Sequence, residues 1–364
     1  MVGDRWAIDI DRDDIARAAL VAEDESPLAP GEIEVRLDSF AMTANNVTYA
    51  ALGKPVGLFL NGKGYWDFFS PGGAGPGRLP VWGFATVERS AAEGVEVGEE
   101  LYGYYPMASH VRLTPGRVNA GGFVDVAAHR AGMPAVYDHY ARVSGLGDFV
   151  AGDRDWWPVF RPLYLTGWLI ADQFEDEKDY GVGQVIVASA SSKTAIGFAH
   201  AMKRRTGRPK LVGLTSPRGR DFLADTGLYD ELVLYDDVAS LDASIPAAFV
   251  DVAGNSAVTA ALHRHCGDAL KLNLIVGKAH WDSAPGQRVP ASGFFAPARV
   301  EKRSADWGPG GLRDRMAAGW TDFIGDARGL FRIEASDGPD AALTAYRDAV
   351  AGNADPRAGI LIRP

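Results

Sequence analysis

Between residues 185 and 277 short apolar runs alternate with segments of helical period, and this alternation constrains the fold more than any other feature. VIVA (185–188), LVGL (211–214), LVLY (232–235), AAFVDV (247–252) and LNLIVG (272–277) read as buried strands. Between them, TAIGFAHAMKRR (194–205), GRDFLADTG (219–227) and SAVTAALHRHC (256–266) read as helices; Ala195, Ala199 and Met202 share one face. Strands that recur every ~20–30 residues with helices between them predict a parallel, doubly wound sheet covered on both faces. The expected class is therefore α/β.

The first third of the chain differs. EIEVRLDSFAM (32–42) alternates Ile33, Val35 and Leu37 with polar residues, the period of a half-buried strand. LPVWGFATVERS (79–90) and ELYGYYPMASHVRLTP (100–115) predict further strands, punctuated by glycine and proline. FSPGGAGPGRLP (69–80) reads as a loop. The closing segment 341–364 reads as helix, turn and strand, and is expected to pack back on the first domain. A chain of 364 residues suggests two domains. The expected division is a β-rich domain from 1–150 and 305–364, and a sheet-and-helix domain from 151–304.

Composition narrows the function classes. Apolar residues make up 47% and charged residues 23%, which suits a folded core and argues against wholesale disorder. The net charge of −10 argues against a broad nucleic-acid surface, which needs clustered Lys and Arg. Cys266 is the sole cysteine, so no intramolecular disulfide and no site with two thiolates can form. The acidic start MVGDRWAIDIDRDD lacks an apolar signal core, and no run of about 18 apolar residues predicts a membrane span. A cytoplasmic enzyme acting on a small molecule is the expectation.

VIVASASSKTAIGFA (185–199) reads as strand, tight turn and helix start, where a nucleotide-binding fold places glycines. No glycine occurs before Gly197. The turn is instead built of small residues, Ser189, Ala190, Ser191 and Ser192, followed by Lys193 and Thr194. Ala195 still permits close packing, Ser191 or Ser192 can cap the helix, and Lys193 can meet a phosphate. Serine tolerates positive φ poorly, and that counts against the reading. An ordinary capped turn without a ligand stands as the alternative. The resemblance of Ser192-Lys193-Thr194 to a P-loop end fails, because Val187 and Ser192 stand where glycines are required.

Several stretches carry a resemblance to the medium-chain dehydrogenase/reductase superfamily. LAPGEIEVRLDSFAMTANNVTYAALG (28–53), PVWGFATVERSAAEGVEVGEELYGYYPMASHVRL (80–113), the strand–turn–helix at 185 and AAFVDVAGN (247–255) are similar to its successive elements. GYWDFF (64–69), PVWGF (80–84) and FVDVAAHRAGMPAVYDHY (123–140) resemble, more specifically, a bacterial subgroup known as a domain of unknown function. The resemblance implies a GroES-like β-barrel domain beside a Rossmann domain. It also implies homodimerisation through edge strands and reduction chemistry. Zinc-using members carry a Gly-His-Glu step; here Trp82-Gly83-Phe84 stands in its place, so no zinc is expected. His263-Arg264-His265-Cys266 is the sole His/Cys cluster, and its side chains should leave different faces of a helix.

After LVGL come Thr215, Ser216 and Arg218, with no carboxylate before Asp221. Hydroxyls beside a guanidinium suit a 2′-phosphate, so NADPH is expected over NADH; a solvated loop is the alternative. Tyr49 lies where related reductases bring a side chain to the nicotinamide, which makes it the candidate acid, with Asn45 orienting substrate or ribose. Asn255 is expected to border the nicotinamide. Tyr65, Trp66, Phe69, Trp82 and Phe84 are candidates for an apolar substrate pocket, or for plain core. His129, Tyr137 and His139 are further candidates. The expected activity is zinc-independent, NADPH-dependent reduction of an activated C=C or carbonyl. The alternative is a non-catalytic or regulatory protein on the same scaffold.

Overall fold

The computed structural model describes residues 3–55, 62–70, 75–277 and 291–364. Residues 71–74 of the predicted loop lie outside them. The chain forms two compact units.

The first unit comprises Met1–Val159, Ile333–Ala354 and Ala358–Pro364. Its centre is the strand Ile33–Met42, which pairs antiparallel with Pro80–Ser90, His110–Leu113 and Ala358–Arg363. The sheet continues from Pro80–Ser90 through Glu100–Pro106, His139–Arg142, Gly122–Asp125 and Pro115–Asn119. Ile33, Val35 and Leu37 are fully buried, as their alternation predicts. Glu34 is buried too, because Arg5 and Arg89 hold its carboxylate at 2.6 Å each. The helix Pro339–Val350 and the strand Ala358–Arg363 return to this unit, where the Tyr346 hydroxyl donates to Ile15 O at 2.6 Å.

The second unit comprises Phe160–Arg332 and Asp355–Arg357. Its parallel sheet runs Glu231–Leu234, Lys210–Thr215, Gln184–Ala188, Ala247–Asp251, Leu270–Ile275, Ser292–Gly293. The strand order reverses between Gln184–Ala188 and Ala247–Asp251, the switch point at which doubly wound sheets bind ligands. The fold is thus a GroES-like β-domain plus a Rossmann sheet.

The boundaries differ from the predicted 150/151 and 304/305; they fall at Val159/Phe160 and Arg332/Ile333. The cause is a helix pair. Asp172 on helix Trp156–Asp176 accepts from Arg299 Nε at 2.7 Å and Arg303 Nε at 2.8 Å, both on helix Ala296–Leu330. These buried ion pairs tie the long helix to the second unit. Its break at Gly308 (φ 75°), followed by Pro309, gives the sequence there the look of a linker. Among the described residues no helix is long and apolar enough to cross a membrane.

Candidate functional site

The turn after Gln184–Ala188 has the shape of a glycine turn without the glycine. Ser189 takes a left-handed conformation with φ 53°. Its N–H donates to the Tyr235 hydroxyl at 3.1 Å, and Ala190 N–H donates to Leu214 O at 3.1 Å. Ser192 caps the helix Lys193–Lys203: its Oγ accepts from Ala195 N–H at 3.3 Å. The amides of Ser191 and Thr194 have no protein partner among the described residues. Free amides at a helix N-terminus present partial positive charge to an anion. The Lys193 ammonium packs against two rings, 5.7 Å from Phe160 and 5.8 Å from Phe331.

Close packing is supplied by glycine two residues after Ala195. A β-carbon at Gly197 would come within 2.9 Å of Tyr164 Cα, and one at Gly167 within 2.4 Å of Phe198 N. The two helices therefore cross backbone to backbone.

The second βα connection abuts the same turn. Thr215 is buried, and Ser216 precedes the helix Pro217–Thr226 without a side-chain cap. A β-carbon at Gly219 would lie 2.5 Å from Thr215 Oγ1 and 3.2 Å from Ser191 Oγ, so the helix start rests against both hydroxyls. Arg218 is exposed on its first turn. Asn255 caps the helix Ser256–Cys266, its Oδ1 accepting from Ala257 N–H at 3.1 Å and Val258 N–H at 3.2 Å. His263 meets Asn273 at 3.2 Å, His265 meets Leu241 O at 2.8 Å, and Cys266 is buried. Among the described residues no three His, Cys, Asp or Glu side chains are grouped to hold a metal.

In the first unit the helix Ala44–Ala51 carries Asn45 and Tyr49 one turn apart. Its neighbour Asn46 closes the helix start, accepting from Thr43 N–H at 2.8 Å and donating to Pro80 O at 3.0 Å. Tyr49 is buried, and burial holds its phenol above the usual pKa, while donors from Trp82 and Asn45 pull the other way. The aromatic candidates separate. Tyr65, Trp66 and Phe84 are core: Trp66 fills the space left by Gly53 and Gly77, and Phe84 packs on Tyr102 and Phe149. Phe69 and Trp82 remain half-buried. Tyr65 and Tyr137 share a hydroxyl contact at 3.5 Å. His129 meets Phe68 O at 3.0 Å, whereas His139 is exposed.

Two residues that the sequence reading passed over belong to this group. Tyr104 lies opposite Trp82 across the sheet. Arg130 is buried, donates to Asp138 at 3.1 Å and stands 4.5 Å from the Phe69 ring. Burial raises the Asp138 carboxyl to about 6. The signal for Tyr104 was the two-residue spacing of tyrosines in ELYGYYP; nothing local marked Arg130.

The signature of the family described as "Protein of unknown function (DUF2855)" matches residues 40–355. The chain belongs to this family. Among curated proteins none matches the sequence. The fold of this family member is shared with solved structures. CurA from Vibrio vulnificus, in complex with NADPH, aligns with TM-score 0.61 at 12% identity over 98% of both chains. A mutant form of enoyl thioester reductase from Candida tropicalis aligns with TM-score 0.54 at 11% identity over 99% of both. A thermostable alcohol dehydrogenase from Pyrobaculum aerophilum gives 0.51 at 14% identity, again over 99% of both. At such identities the likeness is one of fold. In this family member the structure brings together Ser189, Ala190, Ser191, Ser192, Thr194, Thr215 and the start of the Arg218 helix. It separately gathers Asn45, Tyr49, Tyr65, Phe69 and Trp82.

Proposed function

We propose that this chain is an NADPH-dependent, zinc-independent oxidoreductase that reduces an activated C=C or a carbonyl of a small apolar substrate. The observation that carries the proposal is the left-handed Ser189, which shapes a glycine-type turn and leaves the Ser191 and Thr194 amides at a helix mouth. The shared fold with an NADPH complex and with an enoyl thioester reductase supports it. Ser192 fixes the helix start, Ser191 and Thr215 border the mouth, and Arg218, with Ser216 beside it, would hold the 2′-phosphate. Lys193 adds positive charge from its place between two rings, and Ala190 keeps the turn free of bulk. NADPH, when bound, supplies a hydride. The protein supplies the proton: Tyr49, like any phenol, is protonated at neutral pH, and burial raises its pKa further. The phenolate left behind is stabilised by donors from Trp82 and Asn45. Phe69 and Trp82 exclude water. A homodimer in the cytoplasm belongs to the same proposal.

The test is NADPH oxidation on a panel of enones, quinones and aldehydes. Tyr49→Phe is expected to lower kcat by ~100-fold, as loss of a general acid does. Unchanged turnover removes Tyr49 as the acid.

One observation favours a second reading, a non-catalytic protein on this scaffold. The Tyr235 hydroxyl already accepts the Ser189 amide, so one donor of the turn is satisfied from within. The two readings part on whether NADPH binds.

A further inference from the structure

The strands Pro80–Ser90 and Glu100–Pro106 pair so that Trp82 lies opposite Tyr104, and Phe84 opposite Tyr102. Residues two apart share a face, so these four rings cover one side of the sheet. Trp82 stacks nearly parallel on Tyr102, with centroids 5.7 Å and planes 19° apart, and stands 5.0 Å from Tyr104. Trp82 and Tyr102 are half-buried; Tyr104 behind them is fully buried. Tyr104 meets Tyr49 edge-on at 5.6 Å and Tyr137 at 4.9 Å. Phe68 at 5.4 Å and Phe69 at 6.4 Å close the other sides.

In this setting the Tyr104 hydroxyl has no hydrogen-bond partner among the described residues. A buried polar atom left unpaired costs about 1–3 kcal/mol, and phenylalanine would fill the same space without that cost. The neighbouring pair behaves differently: Tyr65 and Tyr137 bring their hydroxyls together. A phenol is protonated at neutral pH, and burial shifts Tyr104 further that way, so it is a donor. A donor retained among rings, beside Tyr49 and behind a flat stacked wall, calls for an oxygen acceptor on a flat guest. A carbonyl oxygen offers two lone pairs and can accept from two hydroxyls.

We propose that Tyr104 and Tyr49 together bind the carbonyl oxygen of a flat conjugated carbonyl compound whose ring lies against Trp82. Tyr104 is thus a specificity-determining residue, selecting planar conjugated carbonyls over puckered saturated ones. The inference rests on the reading that this aromatic face takes the substrate.

Equilibrium dialysis of the full chain without nucleotide tests it, with 1,4-naphthoquinone and naphthalene as probes. Naphthalene offers the flat face without the oxygen. Tyr104→Phe is expected to weaken 1,4-naphthoquinone about tenfold, the worth of one hydrogen bond to a buried acceptor, and to leave naphthalene unchanged. Its thermal midpoint is expected to hold or rise, because an unpaired hydroxyl leaves the core. Trp82→Leu is expected to weaken both probes. Tyr49→Phe supplies the same selective loss should Tyr104→Phe fail to fold. Equal 1,4-naphthoquinone binding by wild type and Tyr104→Phe overturns the proposal, as does no binding of this probe to wild type. Nucleotide is absent throughout, so quinone binding without NADPH binding would leave this site standing and sink the reductase reading alone.

Discussion

At the scale of single residues, the turn at 189–195 shows how serine and alanine do a glycine's work. The small side chains were legible in the sequence; the conformation of Ser189 was not, because its support arrives from Tyr235, 46 residues away. A left-handed non-glycine residue costs roughly 1–2 kcal/mol, and glycine's extra unfolded freedom offsets about half of that. Ser189→Gly is therefore expected to stabilise the chain by up to about 1 kcal/mol in urea unfolding, despite losing the side-chain contact to Tyr235. A loss of stability of that size would show that Ser189 is held for its hydroxyl. His200 gives a second expectation. It is buried beside Asp326 at 3.3 Å, and burial pushes its pKa down from 6.5 to about 4. The folded chain thus binds fewer protons than the unfolded chain between these values. Its stability is full above pH 6.5 and falls as pH drops from 6.5 through 4. His200→Gln should flatten that part of the profile, read as urea midpoints at successive pH values; an unaltered slope would assign the acid sensitivity elsewhere. Tyr104 illustrates the limit of reading residues alone, since its unpaired hydroxyl exists only in the register that sets it opposite Trp82.

At the scale of elements, period and punctuation located the Rossmann strands and their helices closely. SAVTAALHRHC (256–266) is the helix Ser256–Cys266, and VIVA lies within the strand Gln184–Ala188. The elements not anticipated are the two long helices of the second unit. Trp156–Asp176 contains Pro162, which in a sequence reads as a helix break. Ala296–Leu330 contains Trp307-Gly308-Pro309-Gly310-Gly311, which reads as a linker. Their packing partners identify them: Asp172 with Arg299 and Arg303 joins the two, and Gly167 with Gly197 joins the first to the helix after the nucleotide-type turn. Gly167→Ala would press a methyl to within 2.4 Å of Phe198 N, a backbone atom that cannot yield cheaply. The expected loss is about 3 kcal/mol, the upper end for overpacking, seen as a lower urea midpoint. A neutral result would mean that the helices separate freely at this crossing.

At the scale of the whole molecule, a β-domain interrupted by a Rossmann unit was readable from the change of period near the middle of the chain and from its helix–strand close. The crossing points were not, because the helix that defines the second one is broken at Gly308. The central proposal is that the glycine-free turn holds the cofactor phosphates. Trp157 and Trp168 both lie on the helix Trp156–Asp176 and add intrinsic reporters to the chain. The direct measurement is a fluorescence titration of the full chain with NADPH and with NADH, repeated for Arg218→Ala. The expected result is saturable NADPH binding below millimolar concentration, tighter than NADH, weakened about tenfold by Arg218→Ala while NADH is unaffected. No saturable signal with NADPH at millimolar concentration would contradict it.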